Sequence, residues 1–299
     1  MRNTLVNASL KEKIILLDGA LGTELQRRGV PLPLPLWSAE ANLTHPEIVA
    51  SIHRDYVEAG AQVLTTNTFR TTSWTYVKAG YSLISARQRA RESLLQAVTL
   101  ARRAATSNTT IAGSLAPMED CYQPDAFPGE LAAGEVFEET MTWFQEAGVD
   151  LLLIETMGNI DEITVALQVV KRFPFPVWLS LILKDSSHLL DGSPLQKARD
   201  LANKNDVHAV LLNCNSVQLT QAGIKALQAC WSGFWGVYPN LGATPIESNG
   251  TITAAIPREV FRRYVRGFIT AGARVLGSCC GSTPEHTRML RRLIDKMIK

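Results

Sequence analysis

The chain has 299 residues, 46% of them hydrophobic and 19% charged, with a formal net charge of +2. That is ample to bury a large core, and too near neutrality to argue for nucleic acid or an anionic membrane as a partner. Its five cysteines are an odd number and lie far apart, which counts against a disulfide framework; with no secretory pattern at the N-terminus and no apolar run of membrane-spanning length, the expected location is the cytoplasm.

Short apolar, β-branched runs alternate with longer amphipathic segments from end to end. The first strand is Ile14 to Asp18, and Gly19-Ala20-Leu21-Gly22 turns the chain away from it. A proline-rich piece runs through Pro31, Pro33 and Pro35 to Trp37. A helix follows from near Thr44, with Pro46 in its first turn and Ile48, Ile52, Tyr56 and Ala59 on one face, ending at Gly60. Ala61 to Thr66 is the second strand, and a long helix over about Ser82 to Ala105 carries the chain back to a third strand, Ile111 to Ser114. The polar, proline-punctuated loop 117–129 holds Cys121. Helix Ala132 to Ala147 leads to strand Leu151 to Glu155, helix Ile160 to Arg172 to strand Val177 to Leu181, and helix Pro194 to Asn203 to strand Ala209 to Asn213. Helix Leu219 to Ala229 leads to strand Phe234 to Tyr238, and helix Arg258 to Ala271 to strand Arg274 to Leu276, closed by helix Pro284 to Ile298. Eight continuously apolar strands in strict alternation with eight helices predict a parallel sheet, and a single (β/α)8 barrel spanning residues 1–299 fits count and length. A doubly wound sheet is the alternative, weakened because no Gly-x-Gly-x-x-Gly follows a strand and no Walker A loop occurs. Arginine clusters such as Arg87, Arg89 and Arg91 fall in helical segments and read as solvated outer faces.

The strand ends collect the residues with chemistry: Asp18, Asn67, Ser114, Glu155, Asn213 with Cys214, Asn240, and Cys279 with Cys280. In a barrel these converge on one rim, where active sites form. A free cysteine is more often an inert core residue, and that is the reading for Cys230; Cys121 reads as an exposed loop thiol. Cys214, Cys279 and Cys280 differ, because the sixth and eighth strands sit two places apart and their thiols can meet at a Zn–S distance of about 2.3 Å. On spacing alone two readings stand, a zinc seat with its fourth position open and a group of buried inert thiols. His45, His53, His188, His208 and His286 form no ligand pair.

Asp18-Gly19-Ala20-Leu21-Gly22-Thr23-Glu24-Leu25, Thr66-Asn67-Thr68-Phe69, Glu155-Thr156, Asn213-Cys214, Tyr238-Pro239-Asn240 and Gly277-Ser278-Cys279-Cys280-Gly281 occur in this order. Together they resemble the zinc-dependent homocysteine S-methyltransferase family over essentially the whole chain. The resemblance implies a (β/α)8 barrel in which Cys214, Cys279 and Cys280 hold Zn²⁺. The zinc takes the homocysteine thiolate, which attacks a methyl group on a donor to give methionine. It also implies that Asp18 and Glu155 hold the substrate ammonium, against the plainer option of carboxylates capping nearby backbone amides. The amides around Gly19, Ala20 and Thr23 then seat the substrate carboxylate, where the plain option is a tight turn. Asn67, Asn213 and Asn240 are expected around the substrate, the last two alternatively as partners of the thiolates or of loop backbone.

Sulfonium and quaternary ammonium donors attract aromatic faces, so Trp37, Phe69, Trp74, Tyr122, Phe127 and Tyr238 are candidates for the donor side. The segment Leu241 to Asn249 is short and has no Trp, and Ser278 stands where the family usually has Gly. These departures leave the cysteines intact and the donor open among S-methylmethionine, S-adenosylmethionine and betaine. Competing readings are a family member acting on another thiol, a barrel hydrolase or lyase with incidental cysteines, and a non-catalytic zinc- or thiol-binding protein. No nucleic acid or membrane partner is expected.

Overall fold

The computed structural model describes residues 14–242, 252 and 254–297. The strands are β1 (Ile15–Leu16), β2 (Val63–Thr65), β3 (Thr110–Leu115), β4 (Leu151–Met157), β5 (Val177–Leu181), β6 (Ala209–Asn213), β7 (Phe234–Tyr238) and β8 (Val275–Leu276). All pair in parallel, in the order β1-β8-β7-β6-β5-β4-β3-β2. A parallel bridge between Leu17 and Val63 joins the two ends of that order and closes the sheet into a barrel. The helices are α1 (Gly22–Arg27), α2 (Ala41–Thr44), α3 (Pro46–Glu58), α4 (Ser73–Lys78), α5 (Leu83–Ala104), α6 (Glu130–Ala147), α7 (Ile160–Val170), α8 (Leu195–Lys204), α9 (Val217–Cys230), α10 (Arg258–Thr270) and α11 (Pro284–Met297). The architecture is the predicted (β/α)8 barrel. No helix among the described residues is long and apolar enough to cross a membrane.

Alternation along each strand sorts side chains between two cores. Leu17, Val63, Ala112, Leu153, Trp178, Leu211 and Val275 point into the barrel, and the larger cluster fills the space between strands and helices. One layer further toward the C-terminal rim, the inward positions turn polar: Thr65, Ser114, Glu155, Ser180 and Asn213 follow at the same period of two. The apolar plug thus ends where the polar floor of a site begins.

Strict alternation with eight helices is corrected to eleven α-helices among the described residues. The additional α1, α2 and α4 are only four to six residues long, too short to show a 3.6-residue period in sequence. Side-chain caps set several helix starts: Ser82, Thr72, Asn159 and Ser216 each accept a hydrogen bond from a first-turn amide. β4 continues past Glu155 to Met157 through a register shift, and α6 begins at Glu130 rather than Ala132. The expected helix residue Ile298 and most of the segment Leu241 to Asn249 lie outside the described residues.

Gly236 is where β7 and β8 come closest: an added Cβ would lie 2.2 Å from the Val275 carbonyl oxygen. Gly236→Ala is therefore expected to push the strands apart and destabilise the protein by about 1–3 kcal/mol. Urea unfolding checks this, and an unchanged midpoint contradicts it.

Candidate metal and substrate site

The two cysteine segments leave the barrel from β6 and β8. Cys214 follows the last residue of β6 in a left-handed conformation, φ 54°, which sparsely populated geometry turns the thiol inward rather than along the strand. Thr156, at the shift in β4, is left-handed as well, φ 62°. Asn213 holds both together. Its Oδ1 accepts from the Thr156 amide at 3.0 Å and from Ser180 Oγ at 2.7 Å, while its Nδ2 donates to Thr156 Oγ1 at 2.7 Å and to Cys214 Sγ at 3.4 Å.

Asn240 ties the segments to each other. Its Nδ2 donates to the Cys214 carbonyl at 2.8 Å, and its Oδ1 accepts from the Cys280 amide at 3.1 Å. The Cys279 amide donates to the Pro239 carbonyl at 2.7 Å. Three sulfurs are brought together as a result: Cys214 and Cys279 Sγ lie 2.9 Å apart, Cys279 and Cys280 Sγ 4.0 Å, and all three within 4.8 Å of one another. A tetrahedral metal with metal–sulfur bonds of about 2.3 Å separates its sulfurs by about 3.8 Å, so small side-chain movements fit the trio to one ion. Contacts among the thiols split their acidities. Hydrogen bonding from Cys214 and Cys279 holds Cys280 well below the ordinary thiol range, and the same contacts push Cys279 well above it. A trio that cannot all ionise unaided is what a soft cation would neutralise.

Beside the sulfurs opens a cavity of about 580 Å³, a size ordinary for small-molecule sites. Asp18 and Glu155 lie on its floor, both buried. Asp18 accepts from the Thr65 amide at 2.8 Å and Thr65 Oγ1 at 3.0 Å. Burial nevertheless raises it to about 8. Glu155 accepts from Ser114 Oγ and from Tyr238 Oη at 3.3 Å, and burial raises it to about 7. Two buried carboxyls that lack a cation form a seat for one.

Other expected contacts turn out to brace the frame. Asn67 exchanges hydrogen bonds with Ser38 and Asn42 through all its side-chain groups, and so fixes the loop after β2. The Ala20 amide donates to Ser282 Oγ at 2.9 Å and its carbonyl accepts from Tyr56 Oη at 2.9 Å, so both groups are committed. Gly19 has no space for a Cβ, which would lie 2.7 Å from Ser282 and Tyr56. Thr23 Oγ1 accepts from the Gly281 amide at 3.1 Å, linking the first turn to the cysteine pair.

Loop 117–129 folds over the opening. Tyr122 Oη accepts from Asn240 Nδ2 at 3.1 Å, and Cys121, expected as an exposed loop thiol, is half-buried on the cavity wall. Of the aromatic candidates Trp37, Phe69, Tyr122 and Tyr238 line the cavity, Trp37 edge-on to Phe69 with ring centroids 6.1 Å apart. Trp74 is outside it, its Nε1 donating to Glu119 at 2.8 Å; Phe127 lines a separate, small cleft. Arg70 and Lys78, not singled out in the sequence, also line the cavity.

Residues 15–294 match the family model described as homocysteine S-methyltransferase. The chain is 31% identical to the homocysteine S-methyltransferase of Escherichia coli K12, covering 94% of this chain and 95% of the relative. It is 31% identical to homocysteine S-methyltransferase YbgG of Bacillus subtilis 168, covering 91% and 92%. A selenocysteine Se-methyltransferase of Brassica oleracea is 26% identical over 94% of this chain and 89% of its own. The metallated form of the E. coli homocysteine methyltransferase MmuM superposes with a TM-score of 0.83 at 29% identity, covering 96% of this chain and 99% of that one.

Asp18 releases its proton near 3.8 when unfolded but only at about 8 in the ligand-free fold. Between those values the folded state binds more protons than the unfolded one, so stability falls as pH rises through the window. Thermal melting of the ligand-free protein is expected to show that decline, and Asp18→Asn to flatten it; a variant with the unaltered slope contradicts the assignment.

Proposed function

Since the chain belongs to the homocysteine S-methyltransferase family, we propose that it moves a methyl group from a sulfonium or betaine-type donor to homocysteine, with Zn²⁺ held by Cys214, Cys279 and Cys280, giving methionine. In this reading residues 1–299 act as one homocysteine-binding barrel. The observation that carries it is the convergence of three thiols within 4.8 Å, on the same rim as two buried carboxyls. Bound zinc supplies a soft Lewis-acid seat at which an alkyl thiol, with an ordinary pKa of about 8.5, is present as thiolate at neutral pH.

The chain's own residues do the rest. Asp18 and Glu155 hold the amino-acid ammonium by charge-assisted hydrogen bonds, Glu155 being aimed by Ser114 and Tyr238. The turn from Gly19 to Thr23 faces the substrate carboxylate, through the amides beyond Ala20 at the start of α1. Asn213 directs an N–H at Cys214 Sγ, and Asn240 sets the spacing of the two cysteine segments. Trp37 and Phe69 offer aromatic faces to the cationic methyl donor. Loop 117–129 keeps water from the reacting centres, and the acceleration is positional, with sulfur, methyl carbon and leaving group held in line.

Donor chemistry separates this from the hydrolase reading. The cluster contains thiols with neither His nor carboxylate; such soft donors would suit a metal that takes a further thiolate, whereas water-activating zinc in hydrolases is commonly held by His and carboxylate. The relatives named for selenocysteine support a selenol as a second acceptor at the same seat.

Cys214→Ser and Cys279→Ser are each expected to lose about one bound zinc per chain together with methionine formation, by at least about 100-fold, since disturbing even the partners of a ligand costs 10–100-fold. Metal analysis beside a methionine assay checks this. Undiminished turnover in either variant removes the metal from the reaction.

A further inference from the structure

The cavity wall also carries a cation that forms no ion pair among the described residues. Arg70 follows Phe69 in the loop after β2 and lines the cavity. A guanidinium has five N–H donors; only one is engaged among the described residues, Nη1 donating to the Glu119 carbonyl at 2.7 Å. No carboxylate of the described residues lies within the 4.0 Å of an ion pair. The neighbouring acids are already engaged: buried Glu162, whose charged form Arg70 favours without pairing to it, accepts from the Met118 amide at 2.8 Å. Glu119 accepts from Lys78 Nζ and Trp74 Nε1, and Asp120 accepts from the Tyr122 amide and Gln123 Nε2 within its own loop.

The loop that presents Arg70 is fixed. Asn67 is held by Ser38 and Asn42, Thr68 Oγ1 donates to the Ser114 carbonyl at 2.8 Å, and Thr71 Oγ1 to the Thr68 carbonyl at 3.1 Å. The guanidinium carbon also lies 5.4 Å from the centre of the Phe69 ring, a cation–π contact that restrains the side chain further. A restrained planar fork with open N–H groups suits a carboxylate better than any neutral partner.

Resting on the methyl-transfer reading, we propose that Arg70 is the seat for the carboxylate of the methyl donor and decides which end of the donor faces the thiols. Electrostatics then fix its orientation. The onium centre is repelled by the guanidinium, which already lies over one face of Phe69, and turns toward Trp37 and the thiols, while the carboxylate turns toward Arg70. A donor that is a bare cation loses this anchor and meets an uncompensated positive charge. The acceptor's head group is served separately, by Asp18 and Glu155.

The test uses the zinc-loaded full chain with homocysteine, S-methylmethionine as donor, and its methyl ester as the same cation without the carboxylate. Unaltered protein is expected to prefer the acid over the ester by roughly 10- to 100-fold, the range for one charge-assisted pair. Arg70→Gln abolishes that preference by raising the acid's KM while leaving the KM of homocysteine unchanged, and Arg70→Lys restores part of it. Equal discrimination in Arg70→Gln and unaltered protein overturns the proposal, as does a rise in the homocysteine KM alone. Calorimetric binding of acid and ester is read in parallel. Arg70-dependent binding of the acid without any methionine formed keeps the seat and sinks the reaction, whereas absence of an acid preference in both readouts sinks the seat.

Discussion

Three thiols from two strand ends must be gathered onto one point, although neighbouring strands in a barrel diverge as they leave it. Regular extended backbone would send the residue after β6 up and outward. The left-handed turn at Cys214 prevents that, at a cost on the order of 1–3 kcal/mol for a non-glycine residue. Asn213 makes the turn tenable by engaging Thr156, itself left-handed, through both its oxygen and its nitrogen. Asn240 then links the carbonyl of Cys214 to the amide of Cys280. The cluster therefore depends on two asparagine side chains as well as on the cysteines, because together with the bond from the Cys279 amide to the Pro239 carbonyl they set the distance between the segments.

The same rim places opposite electrostatic demands side by side. Burial pushes Asp18 and Glu155 toward the neutral form, and the thiol trio cannot ionise as a set. In the proposed reading positive charge arriving from outside answers both, a metal for the sulfurs and an ammonium for the carboxyls. Binding a cation there would be coupled to proton release from these groups, the charge pairing having to outweigh the cost of ionising them in a buried place. Discrimination against uncharged amino-acid analogues follows from the same source.

Much of this was legible in the sequence because strands of a parallel barrel are buried on both faces and read as unbroken apolar runs, and because the residues after them inherit a shared direction. β5, β6 and β7 fall on the expected residues for that reason. The short helices α1, α2 and α4 carried no period to detect. Pattern alone also failed to separate residues that face the cavity from residues that hold it up. Asn67, just past β2, lines the cavity as Glu155 does, yet the proximity of Ser38 and Asn42 commits every polar atom of its side chain. Ala20 is committed likewise by Ser282, 262 positions away. Such partners are fixed by tertiary approach, which no local window contains.

Arg70 was missed for the converse reason. An isolated arginine in a threonine-rich loop has the appearance of a solvated surface residue, and most are. What distinguishes it is the arrangement of its neighbours: Glu119, Asp120 and Glu162 accept from other donors, and none pairs with the guanidinium among the described residues. Unanswered charge on a cavity wall is a property of the whole set of side chains around it, because pairing any one of them differently would remove it. With thiols and a guanidinium lining one cavity, the proposed donor would present its methyl carbon to sulfur by the same alignment that brings its carboxylate to Arg70.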